Sequence, residues 1–473
     1  MLPSSWKLPF GIDKLFKSLD AEKERRLPFL SLEDHMQHGD TYGQYAGGLF
    51  TILTRDSRNI ASLLSDQFSK FDHGSLRKVC FGCLLGDGIF TENGEAWKMS
   101  RRLLGSELRK PKFPPFDVVE SHLQDMLQTI SSAVEKSPRI SFRPIFYQFA
   151  LDTATDIFLG ISTDLLGTHS STNQEGKRFS VAFNRAIPWL ATRERFKMFA
   201  WLVTGPEFWS LCNTARDSLE NMIIAAQRHE TMSAAKPFTK LLGQTTDLGK
   251  SRDELMNLLF AARDTTAGMM CWIVYVLARE RSIFEKLETE ILQKLGNDVN
   301  AAPTESDLTE MSYLEDFIHE CLRLFPAVPI NARMCNTTTT LPTGGGSSGE
   351  EPILVPKGTL VCFSTFGCHR STKYYGADAM DFRPERWREV DVKDRTRDFT
   401  FHPFIGGPRK CLGERLAMRV IKYTTCRLIQ FFSAIEVDDL SSQDGSNWQA
   451  KVKFQIGVTM SPDDDICVKL TQR

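Results

Sequence analysis

The chain carries almost no net charge: 58 Lys and Arg against 59 Asp and Glu leave −1. That balance argues against a general nucleic-acid binder, which needs a strong positive field. A disulfide framework is also missing. Eleven cysteines, an odd number without framework spacing, point to a reducing compartment. Cys80 and Cys83 make one CxxC, but no second pair or nearby histidine completes a zinc site. They read as two small apolar residues in a loop. The first fifty residues hold neither a signal peptide nor an apolar run of membrane-spanning length. No internal repeat or long low-complexity linker interrupts the 473 residues. What remains is ordinary globular composition, 41% hydrophobic and 25% charged, with enough apolar material for a sizeable core. We expect one continuous enzyme domain.

The most informative stretch present is FIGGPRKCLGERLA, Phe404 to Ala417. Gly406, Gly407 and Pro408 suit a tight, stiff turn, and Gly413 lets a helix pass close beneath something bulky. Arg409, Lys410 and the amides of the following helix place positive potential beside Cys411, which favours thiolate over thiol. A second stretch, SRDELMNLLFAARDTTAGMMCWIVYVLARE, reads as a helix capped by Ser251 or Asp253. It is apolar nearly all round from Leu255 to Leu277, so it runs through the protein interior. Asp264, Thr265 and Thr266 are costly to bury there without partners. An acid beside an alcohol can relay protons through water; helix capping or back-bonding is the other use open to Thr265, and it leaves the adjacent Asp264 unexplained. In MSYLEDFIHECLRLFPAVP, Glu320 and Arg323 stand three apart and share a helix face. In GEAWKMSRRLL, Trp97 and Arg101 stand four apart; an indole N–H and a guanidinium both donate to carboxylates.

Along the rest of the chain, 48–54 reads as a strand and Ser57 to Phe68 as an amphipathic helix. A glycine-rich stretch, Gly82 to Gly94, follows. Asp117 to Phe158 reads as two helices broken near Ser137–Pro138. The aromatics of Phe179 to Trp209 either roof an apolar cavity or fill the core. Thr340 to Phe363 reads as a hairpin with a Gly344–Gly349 tip and a strand entered through Pro356-Lys357-Gly358. Trp6, Leu8, Phe10, Ile12, Leu15 and Phe16, interleaved with Lys7, Lys14 and Lys17, suit either a membrane surface or ordinary packing. The final helix, Leu412 to Phe432, carries Arg415, Arg419 and Lys422. With Lys98, Arg102 and Lys410 these form either a basic docking patch or a solvated charged face.

The pattern Phe-x-Gly-x-x-Arg-x-Cys-x-Gly, formed by Phe404, Gly406, Arg409, Cys411 and Gly413, resembles the haem-binding loop of cytochrome P450 monooxygenases. Three further motifs follow the same resemblance in the family's order: AARDT, with Ala262 where the family usually has glycine; Glu320-x-x-Arg323; and Pro384-Glu385-Arg386. The resemblance implies a mainly α cytochrome P450 fold, a helical triangular prism with a smaller β-rich lobe. It divides the chain into a segment 1–38 without a transmembrane anchor and a single haem domain, 39–473. By the same resemblance, the cofactor is haem b with Cys411 as the iron's axial thiolate. Trp97, Arg101, Arg333 and Arg409 hold its propionates, Asp264 and Thr265 assist proton delivery, and Glu320, Arg323 and Arg386 fix the cysteine loop. Electrons come from NADPH through a cytochrome P450 reductase. LGDGIFTENGEAWKMSR, LLFAARDTTA and LPTGGG look most like the fungal branch that hydroxylates alkanes and fatty acids. Tailoring of a polyketide or terpenoid is the alternative substrate reading; a haem protein that does not oxygenate is the alternative of another class. The implied location is the cytosolic face of the endoplasmic reticulum, held peripherally, or the cytoplasm.

Overall fold

The computed structural model describes residues 12–46, 49–137, 140–167, 173–230, 247–437, 448–463 and 467–473. Trp6, Leu8, Phe10 and Pro138 lie outside them.

One helix organises the rest. It spans Leu248–Leu277, thirty residues, and is buried around nearly its whole circumference from Leu255 to Leu277. An all-round apolar helix has no solvent face to offer, so other elements must cover every side. Helices Phe142–Leu159, Pro206–Glu230, Ser312–Leu324 and Glu414–Phe431 do so. Its start lies earlier than Ser251: Asp247 is the cap, accepting from the Lys250 amide at 3.2 Å. Asp253 has another use, described below. Trp272 is wholly buried at the core, stacked on Phe325 with ring centroids 4.1 Å apart.

The β-rich lobe contains a five-stranded sheet in the order Thr41–Ala46, Leu49–Thr54, Leu360–Ser364, Ile330–Cys335, Phe71–Asp72. Leu49–Thr54 and Leu360–Ser364 run parallel, and the other neighbours antiparallel. The glycine-tipped hairpin pairs Thr339–Gly345 with Glu351–Val355. The break near Ser137 separates helices Phe116–Lys136 and Phe142–Leu159.

Two local readings need correction. Cys80 and Cys83 lie in the helix Gly74–Leu85, packed against the main core, and not in a loop. Ser57 to Phe68 is not one regular helix: α-helix Ser57–Ala61 widens into a π-turn, Ser62–Asp66, closed by Gln67 N–H to Ser62 C=O at 2.9 Å. The widened turn carries the Leu64 carbonyl against the cysteine loop, as the next section shows.

Helices Ile12–Lys23 and Leu27–His38 pack on this body. Lys14 pairs with Asp34 at 2.6 Å, and the Phe29 ring meets Phe454 and Phe366 edge-on at 5.3 and 5.8 Å.

Candidate active site

The cysteine loop is held from two sides. Gly407 has φ +65°, and a Cβ there would fall 1.7 Å from the Leu64 carbonyl oxygen. A Cβ on Gly406 would fall 2.2 Å from the Phe399 ring. Ile405 is held at φ +61°, strained for a β-branched residue. The Cys411 amide donates to the Phe404 carbonyl at 2.9 Å, closing the loop. Gly413 faces open space, with nothing within 4 Å of where a side chain would begin. Cys411 itself is exposed, although protein surrounds it, so its sulfur faces a space inside the molecule.

Electrostatics alone do not make Cys411 a thiolate. Burial pushes the thiol up, and the Gly413 amide, Arg101 and Lys410 only partly counter that. Arg409, expected to help, turns to the Trp97 ring, 4.3 Å away. A metal ion bound to the sulfur would deprotonate the thiol outright.

Beside this space, basic groups gather in unusual density. Arg333, on the strand Ile330–Cys335, is wholly buried. Burial and its neighbours Arg77 and Arg409 push it down to about 9, against the pull of Asp72. Arg409 is pushed down to about 10 by burial and Arg77. His73 is held far below its usual range by burial and by Arg333, Arg77 and Arg409. Arg101 lies 5.8 Å over Trp97 and is lowered by burial. The Nε atoms of Arg333 and Arg409 are buried without a partner. Uncompensated buried cations are strongly unfavourable. A flat group carrying two carboxylates would satisfy them, and its iron would meet Cys411; the residues present therefore fit haem.

Three participants in this cradle were not foreseen: His73, Arg77 and Asn93. Asn93 precedes a helix and looks like a cap, but makes no capping bond. Its Oδ1 accepts from the His73 amide at 3.1 Å and from Arg409 Nη2 at 3.0 Å. No local pattern in the sequence announces these meetings.

Within the otherwise buried central helix, Ala261, Ala262 and Thr265 are half-buried and form one face. Thr265 Oγ1 donates to the Ala261 carbonyl at 2.6 Å. Its hydrogen is thereby committed, while its lone pairs can still accept. Asp264, a step of about 100° around the helix, is buried and pairs with Arg263 at 2.5 Å. Burial raises its carboxyl, with Arg263 opposing. Acid and alcohol are therefore not side by side. Asp264 instead borders a separate cavity of about 570 Å³, lined also by Arg143, Tyr147, Asn184 and Arg263.

Glu320 is fully buried and accepts five hydrogen bonds: two from Arg323 at 2.7 and 2.8 Å, and one each from Arg386 Nε, the Arg383 amide and Trp387 Nε1 at 2.9, 2.9 and 3.1 Å. Arg323 gives its remaining N–H groups to the carbonyls of His369, Ala379 and Asp381. On the outer side of the cysteine loop, the basic face is largely neutralised. Lys410 pairs with Glu414 at 2.6 Å, Lys422 with Glu315 at 2.9 Å, Lys98 with Glu95 at 2.5 Å, and Arg419 with Glu305. Arg102 and Arg415 remain exposed.

Comparison with known proteins agrees with this geometry. The cytochrome P450 family model matches residues 22–456. Cytochrome P450 52A3-B of Candida maltosa is 36% identical over 423 residues, covering 86% of this chain and 80% of the relative. Cytochrome P450 52A6 of Candida tropicalis is 34% identical, covering 97% and 89%. A cytochrome P450 monooxygenase, g430, of a Fusarium species is 33% identical, covering 93% and 80%. With a cysteine loop facing an arginine-rich cradle, a haem cofactor and electrons drawn from NADPH through a reductase, the chain belongs to the cytochrome P450 family of monooxygenases.

Proposed function

We propose that this monooxygenase hydroxylates long, slender apolar chains, alkanes or fatty acids. The observation that carries the reading is the open face of the central helix. It presents only two methyl-sized side chains and one threonine, Ala261, Ala262 and Thr265, with the apolar Phe260 adjoining and the Phe90 ring 6.1 Å from it. Such a wall offers a substrate shape and apolar contact and little polar recognition. Resemblance to the alkane- and fatty-acid-hydroxylating branch points the same way.

In this reading Cys411 holds the iron, Phe404 and Gly413 shape the loop around it, and Trp97, Arg101, Arg333 and Arg409 hold the propionates. Haem, when bound, supplies the oxygen-activating redox chemistry. Thr265 accepts a hydrogen bond on the open face and steadies a water there. Asp264 takes protons from the 570 Å³ cavity on its own side, where burial favours the protonated carboxyl and Arg263 opposes it. Glu320, Arg323 and Arg386 brace the loop and take no part in bond chemistry.

The test is a visible-spectrum titration of the ferric protein with fatty acids and alkanes of graded length, followed by product analysis with reductase and NADPH. A blue shift of the main haem band that saturates tightly for one range of lengths, with hydroxylated product, is expected. No shift for any chain, from protein with a normal thiolate–carbon monoxide spectrum, would move the substrate to the tailoring class.

The same reading places the chain against a membrane surface. No helix among the described residues is long and apolar enough to cross a membrane. Yet Phe196, Met198, Phe199, Trp201 and Leu202 are exposed together. The Arg195–Glu22 pair ties them to a helix whose Phe16 and Leu19 are also exposed. An apolar patch of this kind marks an interaction site. Flotation with lipid vesicles should carry the wild type upward and leave a Phe199→Asp, Trp201→Asp variant behind; equal flotation would remove this surface from the account.

A further inference from the structure

Residues Gly86 to Asn93 connect two helices, Gly74–Leu85 and Gly94–Leu108, and would ordinarily be counted a mobile loop. Their hydrogen bonds say otherwise. The Asp87 amide donates to Asp253 Oδ2 at 2.9 Å, and the Phe90 amide to Asn257 Oδ1 at 3.0 Å. Asn257 Nδ2 donates in return to the Leu85 carbonyl at 2.9 Å. Asp253 and Asn257 stand four apart, on one face of the central helix. Asn257 is wholly buried; its Oδ1 holds the loop, and its Nδ2 holds the helix end that leads into it and donates also to the Asp253 carbonyl at 2.7 Å.

The fit is close as well as bonded. A Cβ on Gly88 would fall 2.5 Å from Asn257 Nδ2, and one on Gly86 would fall 2.0 Å from Asp253 Oδ2. Thr91 Oγ1 closes the turn between them, donating to Gly86 C=O at 2.7 Å and accepting from the Gly88 amide at 3.0 Å. At the far end, Arg409 Nη2 donates to Glu92 C=O at 3.2 Å and to Asn93 Oδ1 at 3.0 Å. The segment is therefore a strap, pinned to the central helix at one end and to the haem cradle at the other.

We propose that Asn257 is a positioning residue that selects which substrate carbon is oxidised, by fixing this strap. Its partner Phe90 N–H belongs to the residue whose ring meets Phe260, next to the open face of Ala261, Ala262 and Thr265. Without Asn257 the Phe90 amide and Leu85 carbonyl lose their partners, and buried backbone groups left unpaired seek water. The strap then lifts, the wall beside the open face moves, and neighbouring carbons gain access. This inference rests on the hydroxylase reading for its substrate, but its structural half does not.

The test uses three variants of the holoenzyme. Asn257→Leu removes both bonds at similar volume. Asn257→Asp keeps the acceptor for Phe90 and loses the donor to Leu85. Gly88→Ala leaves Asn257 intact and pushes the strap off from its own side. With a fatty acid of fixed length, the ratio of the major hydroxylated product to its neighbour should fall roughly tenfold in Asn257→Leu and Gly88→Ala, with Asn257→Asp between. Tenfold corresponds to about 1.4 kcal/mol between competing transition states. The double variant Asn257→Leu, Gly88→Ala should be no worse than the worse single one, since both break the same contact. Amide hydrogen exchange at Asp87 and Phe90 should accelerate in both singles while the thiolate–carbon monoxide spectrum stays normal. Unchanged product ratios from active variants would overturn the positioning role. Unchanged exchange would overturn the strap itself, and it can be read even if the wild type yields no hydroxylated product, the result that would count against the substrate reading instead. Should Asn257→Leu not fold, Gly88→Ala carries both readouts alone.

Discussion

Two groups of arginines, one around Glu320 and one around the buried Arg333, are built on opposite terms. Around Glu320 the charges close on themselves. The carboxylate accepts five hydrogen bonds, and Arg323 spends every N–H it has. Around Arg333 they do not close. Arg77, Arg101, Arg333 and Arg409 crowd with His73, Asp72 is the carboxylate that offsets them, and two Nε atoms are left without partners. The first arrangement is finished by the chain alone. The second is finished only by an anion from outside. An unpaired Nε alone does not mark a binding site, since Arg263, Arg370, Arg395 and Arg419 have one too; what sets the second group apart is several cations gathered with little opposing charge.

The largest break in this contrast comes from opening the closed group. Glu320→Ala would leave Arg323 and Arg386 buried without their counter-charge, a cost of about 3–5 kcal/mol, a large fraction of a typical domain's stability. Little folded protein should form, and none with a thiolate–carbon monoxide spectrum. Soluble Glu320→Ala holoprotein with a melting temperature near wild type would show that the network is dispensable. The contrast would then fall with it.

What the sequence made legible follows the same division. The scaffold group was legible because its members stand in short, recognisable spacings, Glu320 three before Arg323 and Arg386 inside Pro-Glu-Arg. Cys411 was legible because its whole loop is contiguous. The mainly helical body was legible from the apolar run of 255–277. The cradle was legible only in part. Trp97, Arg101, Arg333 and Arg409 came through resemblance, whereas His73, Arg77 and Asn93 meet Arg333 and Arg409 by tertiary packing across more than two hundred residues. Asp264 and Thr265 read as neighbours in the sequence but face apart in the fold. Adjacent in sequence means about 100° apart on a helix, and Arg263 next door supplied the ion partner that an interior acid needs. The basic outer face looks larger in the sequence than in the fold, because Glu305 and Glu315 arrive from elsewhere to pair with Arg419 and Lys422, while Glu414 pairs with Lys410 four residues before it. The turn at Ser62–Asp66 widens for Gly407, some 340 positions away, and no window of local sequence contains that contact.

The smaller and sharper prediction concerns the open group, where one substitution should act with opposite signs on two forms of the protein. Arg333→Met keeps most of the side-chain volume and removes a buried cation whose Nε has no partner. In protein freed of haem, this should raise stability by about 1–3 kcal/mol, because an uncompensated charge has gone. In haem-bound protein it should speed haem loss, because on the proposed assignment a propionate partner has gone. The pH dependence carries the same sign. Arg333 is pushed down to about 9 in the folded state, well below its ordinary value. Above 9 the unfolded chain holds the proton more tightly, so haem-free stability gains from this group as pH rises through 9. At neutral pH both states are protonated and the cost is present in full. Melting curves of haem-free wild type and Arg333→Met from pH 7 to 10 should therefore differ most at pH 7 and begin to converge above 9. A haem-free variant less stable than wild type across that range would mean that Arg333 is satisfied by the protein itself. The cradle would then be scaffold after all, and the two groups of arginines would differ in degree only.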